Sequence, residues 1–424
     1  MTFPVRPDHA RRYDLDWLRI FAFGMLIFYH VGMFYVTWDW HVKSPSASPA
    51  LEPAMLLVNP WRLPLLFFIS GVAIRFASDR AKLGEFLPRR LLRLFLPLAF
   101  GMFVIVVPQA YAELRLKGEV GEGFLAFWRD YALFRLHTSI ITPTWNHLWY
   151  VAYMLVYTLL LAVFLRPLSR VAGISGERFF EWAGRSGWRL LIVPALPFLA
   201  YQLLLDPLFP ITHALIDDWA DHAHCLTMLL FGYVAAKSPA FWRAIEGATV
   251  PALLVAVVLG VALTAARLNW SAASAGQTVL IAFQIGRVFY GWAVIAVLLG
   301  LAQRFLDRPG RALFYLTEAV FPYYIIHQTA IVVVGYWLIP YRLPVQLEAA
   351  IVVGATVGSC LLGFEIVRRI KPLRPLFGLQ LMPRRGAAAG PVAGLRQAPL
   401  VSSTNPQSGS SNVTIDTSPS SAPW

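Results

Sequence analysis

An arginine and a histidine interrupt the first apolar stretch of this chain. In LDWLRIFAFGMLIFYHVGMFYV, residues 15–36, Arg19 and His30 lie in otherwise apolar sequence, and charge at membrane depth is costly enough to be functional by default. Their separation of eleven residues is roughly three helical turns, about 16 Å along the axis, so both project from one face. An arginine offers several donors to a phosphate or carboxylate, and a histidine takes a proton from a hydroxyl near neutral pH. The pair suits an extended anionic ligand held at one end and reacted at the other. An arginine snorkelling to the headgroups and a histidine bonded to a nearby carbonyl would give the same pattern.

Four further segments carry usable chemistry. LFFISGV, Leu66 to Val72, contains Ser70 and Gly71, small enough for helices to approach closely. It leads into the basic segment FLPRRLLRLFLP, read as a cytoplasmic loop, where Arg89 accompanies Arg90 and Arg93. The last two lie one turn apart and could grip a phosphorylated group together, although positive-inside charge alone produces such a cluster. WNHLWYVAYML sets Trp145, His147 and Trp149 at the outer end of a span, with Tyr150 three residues from His147 on one face. Membrane anchor and sugar platform both fit it. In YLTEAVFPYYIIHQTAIVV, Pro322 is expected to kink the helix. Tyr323 and His327 are neighbours four apart, while Glu318 falls on about the opposite face, so no direct Glu318–His327 dyad is expected.

Two polar segments are read as outer loops. TWDWHVKS offers Asp39 and His41, and DDWADHAHC offers Asp217, Asp218, Asp221, His222 and His224. These are zinc ligand types, but their spacing matches no zinc motif, so no metal is expected. Acceptor binding or plain loop polarity accounts for them.

Positioning these residues falls to membrane helices. The 424 residues are 58% hydrophobic and 14% charged, with a mean hydropathy of +0.59, which excludes an ordinary soluble protein. The net charge of +13 forms no single patch, so no nucleic-acid partner is expected. Cys225 and Cys360 lie in apolar runs and indicate neither disulfide nor metal. At roughly 20 apolar residues per crossing, ten spans are predicted, near 15–36, 60–77, 94–111, 147–165, 189–205, 222–236, 248–266, 279–303, 313–338 and 347–367. With the N-terminus inside, 26 of the 36 Lys and Arg fall in inner segments and 8 in outer loops, Arg62 among them, while Arg19 and Arg287 lie within spans. That bias predicts both termini in the cytoplasm. The first run lacks a small-residue cleavage site and is expected to be a retained helix. The expected organisation is a cytoplasmic arm over 1–14, a ten-helix all-α membrane domain over 15–380, and a disordered cytoplasmic tail over 386–424, rich in Gly, Ala, Ser, Pro and Thr.

Taken in order, these segments resemble the membrane-bound acyltransferase-3 family, and within it the glucan-modifying branch. The family's arginine, ten residues, histidine signature is met by Arg19 and His30. FFISG at Phe67 to Gly71, Arg90 and Arg93, HLWY at His147 to Tyr150 and YYIIHQ at Tyr323 to Gln328 follow. The WHV of Trp40 to Val42 is similar to an outer-loop feature of the glucan branch, whereas DDWADHAHC departs from that branch's pattern. The resemblance covers about residues 13–380. It implies a ten-helix fold, acyl-CoA as cytoplasmic co-substrate with no resident cofactor, and His30 as the catalytic residue. Arg19, Arg89, Arg90 and Arg93 would then contact the donor, and His147, Tyr150, His327, Tyr323, Glu318, His41 and Asp39 would bind the acceptor or support the base. The expected reaction is transfer of an acetyl or succinyl group to a hydroxyl of an extracytoplasmic carbohydrate, in a bacterial inner membrane. A transporter or flippase for a lipid-linked or acylated sugar would also need intramembrane Arg and His, but would be expected to show inverted repeats, which the sequence lacks.

Overall fold

Nearly every apolar run becomes a helix, in an order set by short polar connections. A computed structural model describes residues 11–78, 83–270 and 275–381; the expected tail over 386–424 and most of the N-terminal arm lie outside them. The helices are α1 (Tyr13–Tyr35), α2 (Glu52–Ser78), α3 (Leu83–Phe100), α4 (Val107–Leu116), α5 (Phe124–Ala132), α6 (Trp149–Val171), α7 (Glu177–Gly184), α8 (Gly187–Ile192), α9 (Leu196–Leu204) and α10 (Trp219–Ala235). They continue with α11 (Pro239–Asn269), α12 (Gln277–Phe305), α13 (Arg311–Leu338), α14 (Val345–Arg369) and the short α15 (Leu373–Leu376). Among the described residues there is no strand.

Nine helical segments among the described residues are long and apolar enough to cross a membrane. The remaining predicted span, the sixth, 222–236, is the 17-residue α10, about 25 Å long and so at the lower limit for crossing. Two boundaries differ in ways that matter for chemistry. α2 begins at Glu52 and runs through Pro60 and Pro64, which moves Arg62 from the predicted loop into a helix. α3 begins at Leu83, so the basic segment with Arg89, Arg90 and Arg93 is helical and not a loop. Neighbouring helices and local adjustments tolerate proline inside a membrane helix, so the prolines mark no boundary.

Packing follows the small residues. In α11, Ala248, Ala252 and Ala256 are buried while Val250, Leu254, Val258 and Val261 are exposed, a small face turned to protein and a bulky apolar one turned outward, as expected where lipid replaces water. The tightest crossing joins α2 to α10. A methyl group on Gly71 would lie 1.9 Å from the Leu229 carbonyl oxygen, and one on Gly232 would lie 2.0 Å from that of Phe68. Because backbone atoms cannot yield as a side-chain tip can, Gly71→Val should destabilise the protein by about 1–3 kcal/mol or more. Thermal unfolding in detergent checks this, and an unchanged midpoint would contradict the close crossing.

Between α3 and α4 the helix widens into a π turn, Gly101–Ile105. Such a turn interrupts the regular carbonyl pairing, and other elements supply donors. Trp128 Nε1 donates to the Phe103 carbonyl at 2.7 Å, Tyr131 Oη to that of Met102 at 3.2 Å, and Thr329 Oγ1 to that of Ile105 at 2.7 Å. A buried amide network extends from it: Gln109 Nε2 donates to Thr329 Oγ1 at 2.6 Å, and Asn146 and Gln328 both donate to Gln109 Oε1 at 3.1 Å. It locks α4, α13 and the start of α6 together.

Candidate active site

His30 and His327 meet across the α1–α13 interface. His30 Nδ1 lies 2.8 Å from His327 Nε2, with ring planes 3° apart and centroids at 5.0 Å. Atoms of rings stacked face to face stay about 3.5 Å apart, so the shorter N···N distance places these two rings edge to edge in a common plane. His327 Nδ1 is 2.7 Å from the Tyr324 carbonyl oxygen, an acceptor only, and therefore carries the proton. With both rings neutral, His327 Nε2 is then the acceptor and His30 Nδ1–H the donor. The lone pair of the dyad is thereby delivered to His30 Nε2. His327 is fully buried, whereas His30 is half-buried, so the free nitrogen belongs to the reachable ring.

The surroundings hold this geometry. His147 Nε2 donates to the Ile325 carbonyl at 3.1 Å, and the His147 ring meets His327 edge to face at 5.1 Å. Tyr324 Oη donates to the His147 carbonyl, tying the start of α6 to α13. His147 is thus a buried buttress behind His327, not part of an outer anchor.

At the other end of α1, four of the sequence motifs converge. Tyr150 and Ser70 hydroxyls are 2.6 Å apart, and Arg19 and Arg90 both lie within electrostatic reach of the Tyr150 hydroxyl and of each other. Arg19 Nη2 donates to the Thr317 carbonyl at 3.3 Å and stands 3.8 Å from Asp16 Oδ1. The Nε atoms of Arg19 and Arg90 are buried without a partner, which leaves donors for an anion. Arg93 lies within electrostatic reach of Arg90 and its Nε donates to the Gly378 carbonyl at 3.0 Å, while the exposed Arg89 pairs with Glu85 at 3.2 Å. Phe23, Tyr150 and Tyr324 pack together with centroids 5.2 to 6.2 Å apart, Tyr150 near the arginines and Tyr324 with its ring 5.9 Å from that of His327.

A loop folds over the His30 end. Lys43 Nζ donates to the Met33 carbonyl at 2.5 Å and to that of Trp38 at 2.9 Å, placing a cation at the C-terminus of α1. Burial pulls this ammonium below its usual range, opposed by the charges of Asp39 and Glu52. Ser44 Oγ donates to Glu348 Oε2 at 2.6 Å, and Glu52 is bonded by Thr37 and Arg267. So pinned, the loop brings the Trp40 ring to 6.5 Å from His30. His41 Nδ1 donates to Glu113 Oε2 at 2.5 Å, and Lys117 donates to Glu113 Oε1 at 2.6 Å, which holds the Lys117 ammonium above its ordinary value. Asp39 is exposed on the same loop.

Other predicted residues lie elsewhere. Glu318 pairs with the buried Arg374 at 2.8 Å, fastening α13 to the chain after α14 and away from His327. Tyr323 packs its ring on Phe364 at 5.9 Å, so although it lies one turn from His327 its side chain meets α14 while that of His327 meets α1. The DDWADHAHC residues disperse. Asp218 accepts from Tyr153 Oη and from the His213 amide at 2.8 Å, His222 Nδ1 is 2.9 Å from Tyr157 Oη, and His224 Nε2 is 3.0 Å from Asp206. His213 stacks on Trp149 at 4.1 Å, and burial pushes its imidazole down to about 4. Among the described residues no three His, Cys, Asp or Glu side chains group to hold a metal.

Two members of the site escaped the sequence reading. Glu113 would have required knowing that α4 continues past the π turn. Arg62, buried in α2 with its guanidinium 3.4 Å over the Tyr29 ring, was hidden by flanking prolines; its signal was a third arginine, beside Arg19 and Arg287, in otherwise apolar sequence.

These features define a multi-pass helical membrane protein with its polar chemistry enclosed between helices. A family model described as an acyltransferase domain matches residues 12–366, and the chain belongs to that family, the membrane acyltransferases of the acyltransferase-3 type. Among curated relatives, glucans biosynthesis protein C of Escherichia coli (strain K12) is 24% identical over 150 residues, 35% of this chain and 38% of the relative. The proteins of that name from Escherichia coli O1:K1 / APEC and O139:H28 (strain E24377A / ETEC) match to the same extent. The match spans well under half of these relatives' length. No solved structure matches.

Proposed function

We propose that this acyltransferase moves an acyl group, acetyl or succinyl, from cytoplasmic acyl-CoA to a hydroxyl of an extracytoplasmic carbohydrate such as a glucan or surface polysaccharide. The membrane would be the bacterial inner membrane, with both termini on the cytoplasmic side. The observation that carries the reading is the free lone pair on His30 Nε2, fixed by His327, three turns above an arginine pair with unused donors. CoA phosphates bind Arg19 and Arg90, whose fork geometry suits phosphate oxygens, and the pantetheine arm follows the Phe23, Tyr150 and Tyr324 rings toward His30. His30 Nε2 takes the proton of the acceptor hydroxyl as its oxygen attacks the thioester carbonyl. The C–O bond forms, the C–S bond breaks, and the departing thiolate takes the proton back from His30. The same lone pair would serve as nucleophile if the acyl group passed through an acyl-imidazole. Trp40, His41 and Asp39, on the loop above His30, form the acceptor side. The lipid bilayer and the carbohydrate are the remaining partners.

Mass spectrometry of envelope glycans from cells with and without the protein tests this directly. An acyl mass present only with the protein names the group and the acceptor. Acylation persisting in full without it would overturn the reading.

A further inference from the structure

Two guanidiniums approach one asparagine, that of Arg62 within electrostatic reach of His30. Arg62 is 6% exposed. Its guanidinium lies 3.4 Å over the Tyr29 ring, and its Nη1 donates to the Asn59 carbonyl at 3.5 Å. Arg287 Nη2, from α12, donates to Asn59 Oδ1 at 3.5 Å, while Asn59 Nδ2 donates to Tyr29 Oη at 2.9 Å. The Tyr29 ring is 6.3 Å from that of His30.

Among the described residues no acid side chain touches the pair: neither arginine forms an ion pair, and Arg62 Nε is buried with no partner. Asp206, an acid within electrostatic reach of Arg287, is hydrogen-bonded by His224 at 3.0 Å and contacts neither arginine. Two cations between membrane-crossing helices without a counter-ion are costly, and such charges normally pair. Tyr29 and the Asn59 carbonyl orient the Arg62 fork but supply no negative charge. Two planar donor sets converging on one spot suit an oxyanion with more than one oxygen to share.

We propose that Arg62 and Arg287 form a binding site for an oxyanion, a carboxylate or phosphate carried by one of the substrates, next to His30. Binding there stands on its own; only its use in transfer rests on the function proposed above. The site holds a charged group of the substrate at a set distance from His30 Nε2, and so selects substrates that carry one.

The test uses the full chain in detergent with Arg90→Gln as background, so that the cationic end near Arg19 does not obscure the result. Thermal unfolding is followed with succinate, inorganic phosphate, acetate and chloride at matched ionic strength. Succinate or phosphate should raise the midpoint by about 1–3 °C over chloride. Adding Arg62→Gln or Arg287→Gln should remove the rise, and Arg62→Lys should keep part of it, which separates loss of charge from loss of fold. A preference for succinate assigns a carboxylate and the reverse a phosphate; both support the site. No rise with any anion, or an equal rise in the Arg62→Gln and Arg287→Gln proteins, overturns it. The readout needs no turnover, so it can fail while acyl transfer stands, and the converse.

Discussion

Replacing His30 with alanine lowers acyl transfer by about 10²–10⁴-fold, the range that a positioned general base contributes, at an unchanged membrane level of the protein. The expectation follows from where the lone pair resides. His327 holds its proton on the Tyr324 carbonyl, and His30 holds its own toward His327, so His30 Nε2, on the half-buried ring, is the basic atom the dyad leaves unused. Alanine leaves His327 Nε2 without its donor, a penalty of about 1–3 kcal/mol for a buried polar group. Detergent size-exclusion profiles of wild-type and variant should therefore be compared with the glycan masses. Wild-type acylation from a well-folded His30→Ala protein would remove His30 from the mechanism.

His327→Phe comes second in size, at about 10²–10³-fold, and the loss should fall on kcat more than on KM. Phenylalanine keeps the ring volume in a fully buried site but removes the acceptor that fixes the His30 tautomer. In serine proteases, removing the tautomer-fixing carboxylate costs about 10⁴-fold with the geometry intact. The effect here should be smaller because His327 is neutral and provides no full charge. His327→Gln, whose amide oxygen can still accept from His30 Nδ1, should recover about tenfold over His327→Phe, in keeping with a net worth of about 1 kcal/mol for one hydrogen bond. If His327→Phe and His327→Gln had equal activity, packing and not tautomer control would be the role of His327.

Several residues show how far the sequence carries. Arg19 and His30 were legible because a 3.6-residue period assigns a face within one helix, and Gly71 because small residues mark close helix crossings. Glu318 and Tyr323 were harder. Both share a helix with His327, but the period says only which residues share a face, not which neighbouring helix each side chain meets. Tyr150, which the sequence left as either membrane anchor or sugar platform, bonds Ser70 and lies near Arg19 and Arg90. The dispersed DDWADHAHC residues carry the same lesson, since adjacency along the chain put their side chains on different partners.

Composition, hydrophobic run length and the order of short motifs were enough by themselves to determine a helical membrane protein resembling the acyltransferase-3 family. Those properties are local, summed over windows of about 20 residues, the thickness of a bilayer. The tertiary structure alone decided that His30 pairs with His327, a contact between residues 297 positions apart. It alone turned Arg62 from a loop charge into a buried cation beside the dyad. Both depend on which helix lies against which, and backbone closeness at Gly71 and Gly232 and the polar links between helices set that arrangement, not the pattern within any one segment.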